Sequence, residues 1–228
     1  AVNNKNLLAQ GYQRAISMLK PVPYPLAGED LPKMDAHRRS AIYLGEKYCR
    51  AAINVSFEAG VNHVGVEQSA CTLCGDCVSG CNYGAKNTTA MNYLPDAANH
   101  GAEIFTEIAV TRVAKVGERW KVYYQPVGLG RGKFDAPEMF VLADIVVLAA
   151  GTLGSTEVLL RSKKSGLAIS EHLGENFTGN GDVLAFGYNN DEEINGVGLG
   201  QYKTGEIEVV GPCITGIIDI RKNEQLDE

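Results

Sequence analysis

The chain has no long apolar run. Its longest apolar stretch, Asp144-Ile-Val-Val-Leu-Ala-Ala-Gly151, falls far short of the roughly 20 residues a membrane-crossing helix needs, so no membrane span is expected. It also lacks an excess of positive charge. Lys and Arg number 21 against 27 Asp and Glu, a net charge of −6, which argues against a nucleic-acid partner because phosphate contacts need a basic footprint. No signal-peptide pattern is present. G-x-S-x-G and H-E-x-x-H are both missing, which removes the hydrolase elbow and the zinc-protease helix. The four histidines (His37, His63, His100 and His172) are too scattered for a metal site or a triad and read as helix-end or surface residues. The dinucleotide fingerprint G-x-G-x-x-G is absent too. Gly128-Leu-Gly130-Arg-Gly132 and Gly196-Val-Gly198-Leu-Gly200 have other spacings and read as loops. There is no internal repeat. The chain opens at Ala1 without an initiator Met and stops just after strand-like Ile214–Arg221, so an internal piece of a longer protein is expected.

What is present begins with cysteine. Of six cysteines, four fall in Cys71-Thr-Leu-Cys74-Gly-Asp-Cys77-Val-Ser-Gly-Cys81, the C-x2-C-x2-C-x3-C spacing of a bacterial ferredoxin. Gly75 and Gly80 let so short a backbone curl around a cuboidal cluster. Asn82 stands where such a run has proline, and no second run follows. A structural zinc, a disulfide and free buried thiols are the other readings of the same residues. Cys49 and Cys213 are isolated and read as core residues or remote ligands. Clustered cysteines without secretory features predict a reducing compartment, the cytoplasm.

At 228 residues, with 45% hydrophobic and 21% charged, the chain can bury one large core or two small ones. Asn4 caps a predicted helix carrying Leu7, Leu8, Tyr12, Ala15, Ile16 and Leu19 at helical period, ended by Pro21, Pro23 and Pro25. A second helix is predicted over Met34–Leu44, a strand over Ala52–Phe57, and a third helix over Ala90–Asn99. Alternation then predicts strands through Ile104–Val113, Trp120–Tyr124 and Met139–Leu142. A buried strand is predicted over Asp144–Ala149. It runs through Gly151-Thr-Leu-Gly154 into a helix, Thr156–Lys164, opened by Ser155. This strand–turn–helix would aim free N–H groups into a crevice, with Gly151 and Gly154 allowing close approach of a nucleotide; an ordinary βα turn reads the same. A further strand is predicted over Val183–Tyr188, and Asp191-Glu-Glu193 reads as a solvated loop.

Three segments carry a resemblance. Gly80-Cys-Asn-Tyr-Gly-Ala-Lys-Asn-Thr88 runs on to Met91-Asn-Tyr-Leu94; Val146-Val-Leu-Ala-Ala-Gly-Thr-Leu-Gly-Ser-Thr-Glu-Val-Leu-Leu-Arg161 follows; Phe177-Thr-Gly-Asn-Gly-Asp182 closes the set. Together they resemble the glucose-methanol-choline (GMC) oxidoreductases, in particular the branch containing bacterial cholesterol oxidase. The resemblance covers most of the chain and is weakest in the first sixty and last thirty residues. It implies FAD, and oxidation of an alcohol CH–OH to a carbonyl by hydride transfer to the flavin, with a sterol-like or other hydrophobic alcohol favoured. It implies that Val110 meets the adenine, that Ala150, Gly151 and Thr152 pack against the same nucleotide, and that Asn180 lies toward the substrate side. Neither the N-terminal glycine fingerprint nor the His/Asn pair that accepts the hydroxyl proton is in this sequence, so no catalytic residue is assigned. Flavin-dependent sugar dehydrogenases of the class carry a three-iron cluster on C-x5-C-x3-C, a spacing that Cys71, Cys77 and Cys81 reproduce with Cys74 as an extra thiol.

The expected fold is α/β, α+β overall: an incomplete doubly wound FAD-binding domain joined to part of an antiparallel-sheet substrate domain. Residues 1–65 are expected to precede the cysteine loop as part of the substrate domain. Residues 66–182 would hold the cysteine loop and the partial FAD-binding domain, and 183–228 the start of the substrate-domain sheet. The expected partners are a small-molecule alcohol and an electron acceptor, oxygen or a redox protein. An iron–sulphur electron-transfer module and a zinc-stabilised structural domain are the alternative readings.

Overall fold

The computed structural model describes residues 4–25, 30–128, 138–198 and 209–221. The chain divides into two compact units, Ala1–Ala102 with Gly187–Glu228, and Glu103–Phe186. The cysteine loop, grouped from sequence with residues up to 182, belongs to the unit built from the two ends.

In the first unit, helix α1 (Lys5–Leu19) starts where the Asn4 side chain accepts from the N–H groups of Asn6 and Leu7 at 3.1 Å each. This is the cap expected of that residue. Strand β1 (Val22–Pro23) follows, then α2 (Pro32–Leu44), which has proline at its head and left-handed Gly45 at its end. Strands β2 (Lys47–Arg50), β3 (Ala52–Ile53), β4 (Gly60–Val61) and β5 (Glu67–Gln68) are short. The strand expected over Ala52–Phe57 is therefore only β3 and one bridge, Val55 to Lys86. The helix expected over Ala90–Asn99 is split into a 3-10 turn (Thr89–Met91) and α3 (Tyr93–Asn99). Asn92 leaves helical geometry between them and caps α3 by accepting from the Tyr93 N–H at 2.7 Å.

The second unit is an antiparallel meander. Strands β6 (Ile108–Val116), β7 (Arg119–Pro126) and β8 (Met139–Ala143) lie in that order, with Gly117 in the left-handed turn between the first two. Helix α4 (Gly151–Lys164) packs on β6 through Ser162, which is fully buried. Its hydroxyl accepts from the Val113 N–H at 2.8 Å and donates to the Val158 carbonyl at 2.7 Å.

The chain returns to the first unit as β9 (Gly216–Asp219), antiparallel to β2 with Tyr48 opposite Ile218. The core there is Tyr24, Leu31 and Met34, with Phe57 and Leu73 packed against it; Tyr24 and Phe57 meet edge to face at 5.7 Å. Leu73 carries the cysteine loop onto this core, each large side chain so buried being worth about 1.5–3 kcal/mol.

Two strand expectations fail for one reason. Residues 144–149 form no ladder, and Ile145 and Val147 are more than four-fifths exposed. Residues 183–188 likewise run without regular structure, with Val183 and Phe186 exposed. A strand exists only through hydrogen bonds to a neighbour, and no described residue supplies one. The mixed α and β content is as expected. Every strand pairing among the described residues is antiparallel, so they form no doubly wound parallel layer.

Candidate functional site

The cysteine loop is built from left-handed turns and held by its neighbours. Leu73, Gly75 and Gly80 all have positive φ, which folds 71–81 back on itself. The Cys71 N–H donates to the Ser56 carbonyl at 2.9 Å, and the Lys86 ammonium to the Cys77 carbonyl at 3.0 Å. The Asp76–Ser79 turn is closed by a 2.6 Å hydrogen bond from the Ser79 hydroxyl to the Asp76 carboxylate.

From the other end of the sequence, the Gly198 N–H donates to the Gly75 carbonyl at 3.1 Å and the Gly211 N–H to the Leu73 carbonyl at 2.8 Å. The approach is close enough to require glycine: a Cβ on Gly198 would stand 1.9 Å from the Cys74 carbonyl oxygen. Cys213 arrives on this segment. Its thiol donates to the Gly75 carbonyl at 2.8 Å. Cys49, by contrast, is exposed on β2 and is not a core residue.

Cys71, Cys74, Cys77 and Cys81 line one cavity of about 20 Å³, together with Gly75, Lys86 and Tyr83. That is room for one water. Among the described residues no three His, Cys, Asp or Glu side chains close on a single point as metal ligands. The four thiols are partly buried, and burial raises the pKa of both Cys71 and Cys77. The donor set nevertheless suits a thiophilic group: four sulphurs share one cavity, and the Leu73 N–H points at the Cys71 sulphur at 3.4 Å. A cavity of this size does not accommodate a cuboidal cluster.

Beside the loop lies Lys33, 8% exposed, its ammonium donating to the carbonyls of Gly211 at 3.1 Å, Pro212 at 2.5 Å and Gly196 at 3.3 Å. Burial lowers its pKa, opposed by the negative ends of Cys213, Cys77 and Cys71. Neither Lys33 nor the partnership of Cys213 was visible in sequence, since each is joined to the loop only through space.

The loop's far side leads into an amide network. Gln68 donates to the Ala85 carbonyl at 3.2 Å and to Asn87 Oδ1 at 2.5 Å; Asn87 donates to the Leu19 carbonyl at 2.8 Å. Asn92, 1% exposed, donates to the Asn87 carbonyl at 3.3 Å, and Asn62 to the Met91 carbonyl at 2.7 Å. These amides line a cavity of about 500 Å³ with Met18, Val22 and Phe57. Asn92 and Asn87 belong to the segments quoted above; their role here is to set the backbone between the cysteine loop and α3.

In the second unit, α4 begins at Gly151, four residues ahead of Ser155, because the Ser155 hydroxyl accepts from the Ala150 N–H at 3.0 Å and draws the turn into the helix. Gly151 has φ of 73°, and no atom lies within 4 Å of where its Cβ would be. Gly154 is tighter, with a Cβ there only 3.0 Å from that of Ala150. The head of α4 is thus open on the side where a Gly151 Cβ would stand. Thr152 lines a cavity at this head with Thr156, Gly174 and Phe177; that cavity includes neither Val110 nor Asn180. Val110 stands on β6 opposite Tyr124, half exposed, beside a bulge before Arg112. Asn180 is exposed, donating to the Asp182 carboxylate at 2.7 Å and accepting from its N–H at 3.1 Å.

A family model described as GMC oxidoreductase matches residues 32–180. A cholesterol oxidase of Acinetobacter baumannii is 32% identical over 128 residues, covering 54% of this chain and 23% of that protein. A cholesterol oxidase of Mycobacterium tuberculosis (strain ATCC 25618 / H37Rv) is 32% identical over 117 residues, 48% of this chain and 19% of that protein. The chain therefore spans less than a quarter of the length of these relatives. No solved structure matches it.

Proposed function

The chain belongs to the GMC oxidoreductase family, and from that premise we propose that it is part of an FAD-dependent enzyme oxidising an alcohol to a carbonyl. The observation that carries this reading is the family match over residues 32–180, which takes in both the cysteine loop and the head of α4. Two relatives named cholesterol oxidase favour a sterol-like or other hydrophobic alcohol. When bound, FAD supplies the two-electron acceptor.

The chain's own residues bind and orient. The backbone at Val110 would meet the adenine, and Ala150, Gly151 and Thr152 would pack against the same nucleotide, where the missing Cβ of Gly151 leaves room. Asn180 stands toward the substrate side. Cys71, Cys74, Cys77 and Cys81 are the thiols that would hold an iron–sulphur cluster, which would supply a one-electron relay to an acceptor.

The test is an absorption spectrum of the complete gene product carrying this sequence, taken before and after anaerobic addition of a sterol or long-chain alcohol. Flavin bands that bleach with the alcohol are expected, over a broad iron–sulphur shoulder. A purified product without flavin would overturn the enzyme reading. Flavin with zinc and no iron would overturn only the relay.

A further inference from the structure

Resting on the reading that this chain belongs to an alcohol oxidoreductase, we propose that the cavity of about 500 Å³ beside the amide network seats the substrate alcohol, whose O–H donates to the side-chain carbonyl of Gln68.

The amide network fixes which end of Gln68 is free. The Leu19 and Ala85 backbone carbonyls can only accept. Asn87 therefore turns its Nδ2 to Leu19, at 2.8 Å, which leaves its Oδ1 toward Gln68. Gln68 in turn directs its Nε2 to Ala85, at 3.2 Å, and to that Oδ1, at 2.5 Å. The oxygens of the other two amides are taken. Asn92 Oδ1 accepts from the Tyr93 N–H at 2.7 Å, and Asn62 Oδ1 from the Val64 and Val66 N–H groups at 3.1 and 3.0 Å. Among the described residues no donor reaches Gln68 Oε1, although Gln68 is only 7% exposed. The side-chain polar atom sealed away without a partner among them is the Tyr48 hydroxyl, so Gln68 Oε1 is not sealed and opens on the cavity its residue lines.

A floor of this kind suits a neutral donor on an apolar body. Met18, Val22, Val55, Phe57 and Met91 form the walls, with Phe57 braced edge to face on Tyr24. The charged lining groups Lys20 and Glu58 are exposed, as is His63, so no buried charge awaits an ion. The volume falls within the roughly 300–1,000 Å³ of small-molecule sites. An alcohol pairs the free acceptor. The carbonyl product has no O–H, leaves that acceptor unpaired and is held less tightly.

The test is a fluorine NMR titration of the complete gene product with a long-chain secondary alcohol bearing a trifluoromethyl group on the carbinol carbon, too electron-poor to give up hydride. Wild type should bind it, and should bind its methyl ether, similar in shape but without the O–H, at least about tenfold more weakly. Gln68→Met should lose that preference. Met18→Trp, which fills the cavity from α1 without touching the amides, should lose both ligands. Equal binding of alcohol and ether by wild type, or wild-type binding by Met18→Trp, would overturn the proposal. Should Gln68→Met fail to fold, those two comparisons decide by themselves.

Anaerobic mixing with the unfluorinated alcohol keeps this reading apart from the one it rests on. Flavin bleaching is expected in wild type and not in Met18→Trp; bleaching of that variant at the wild-type rate would overturn the cavity and leave the enzyme reading intact. Binding without bleaching in any form would overturn the enzyme reading, and with it the alcohol's standing as substrate.

Discussion

Glu138 shows how far a single side chain can be read. Its carboxylate takes a hydrogen bond from the Arg112 guanidinium at 2.6 Å and another from the Thr111 hydroxyl at 2.9 Å, and Arg112 stacks over the Tyr123 ring. The Arg112 hydrogen bond holds its pKa below the ordinary 4.5. Between the two values the unfolded chain binds more protons than the folded one. The stabilisation is therefore present above pH 4.5 and lost as pH falls through the depressed value. Glu138→Gln should cost no more than about 1 kcal/mol near neutrality, as befits a partly exposed pair, and nothing in strong acid. Urea titrations at both pH values check this; an equal cost in acid would refute it. At the same scale, the cap at Asn4 was legible because it depends on local spacing. Asn92 was visible as part of a motif but not as a buried cap, because its Asn87 partner becomes a neighbour only once the chain bends between them.

Among elements, α4 and β6 are joined by one polar contact rather than by packing alone. Ser162 satisfies the Val113 N–H from inside the helix. Ser162→Ala leaves that buried donor unpaired, at a cost of about 1–3 kcal/mol. Denaturant melts should show the midpoint falling with little change of slope, and an unchanged midpoint would mean water replaces the hydroxyl. Helices α1, α2 and α4 were legible because their periodicity and ends are local signals; even so, α4 starts a turn early through Ser155 and Ala150. The short strands β3, β4 and β5 were not, since two residues carry no periodicity.

For the whole molecule, the exposed apolar residues Ile145, Val147, Val183, Leu184 and Phe186 matter most. So much exposed apolar surface in two short stretches of sequence is more than a self-sufficient unit shows. The chain expressed by itself is expected to bind a hydrophobic dye strongly and to hold flavin weakly, whereas the complete gene product should bind flavin and little dye. Stoichiometric flavin in the isolated chain would contradict this.

The sequence by itself determined the family, through motifs that are contiguous runs of residues, and it determined the helices, whose hydrogen bonds close within four residues. It also picked out the cysteine loop, because four thiols at that spacing need no tertiary partner to be noticed. Only the tertiary structure decided that residues 144–149 form no strand among the described residues, since a ladder needs a second chain segment. Only it brought Cys213 and Lys33 to the loop, because contacts across well over a hundred residues leave no periodic trace. The cysteine run was legible; what packs against it was a matter of space.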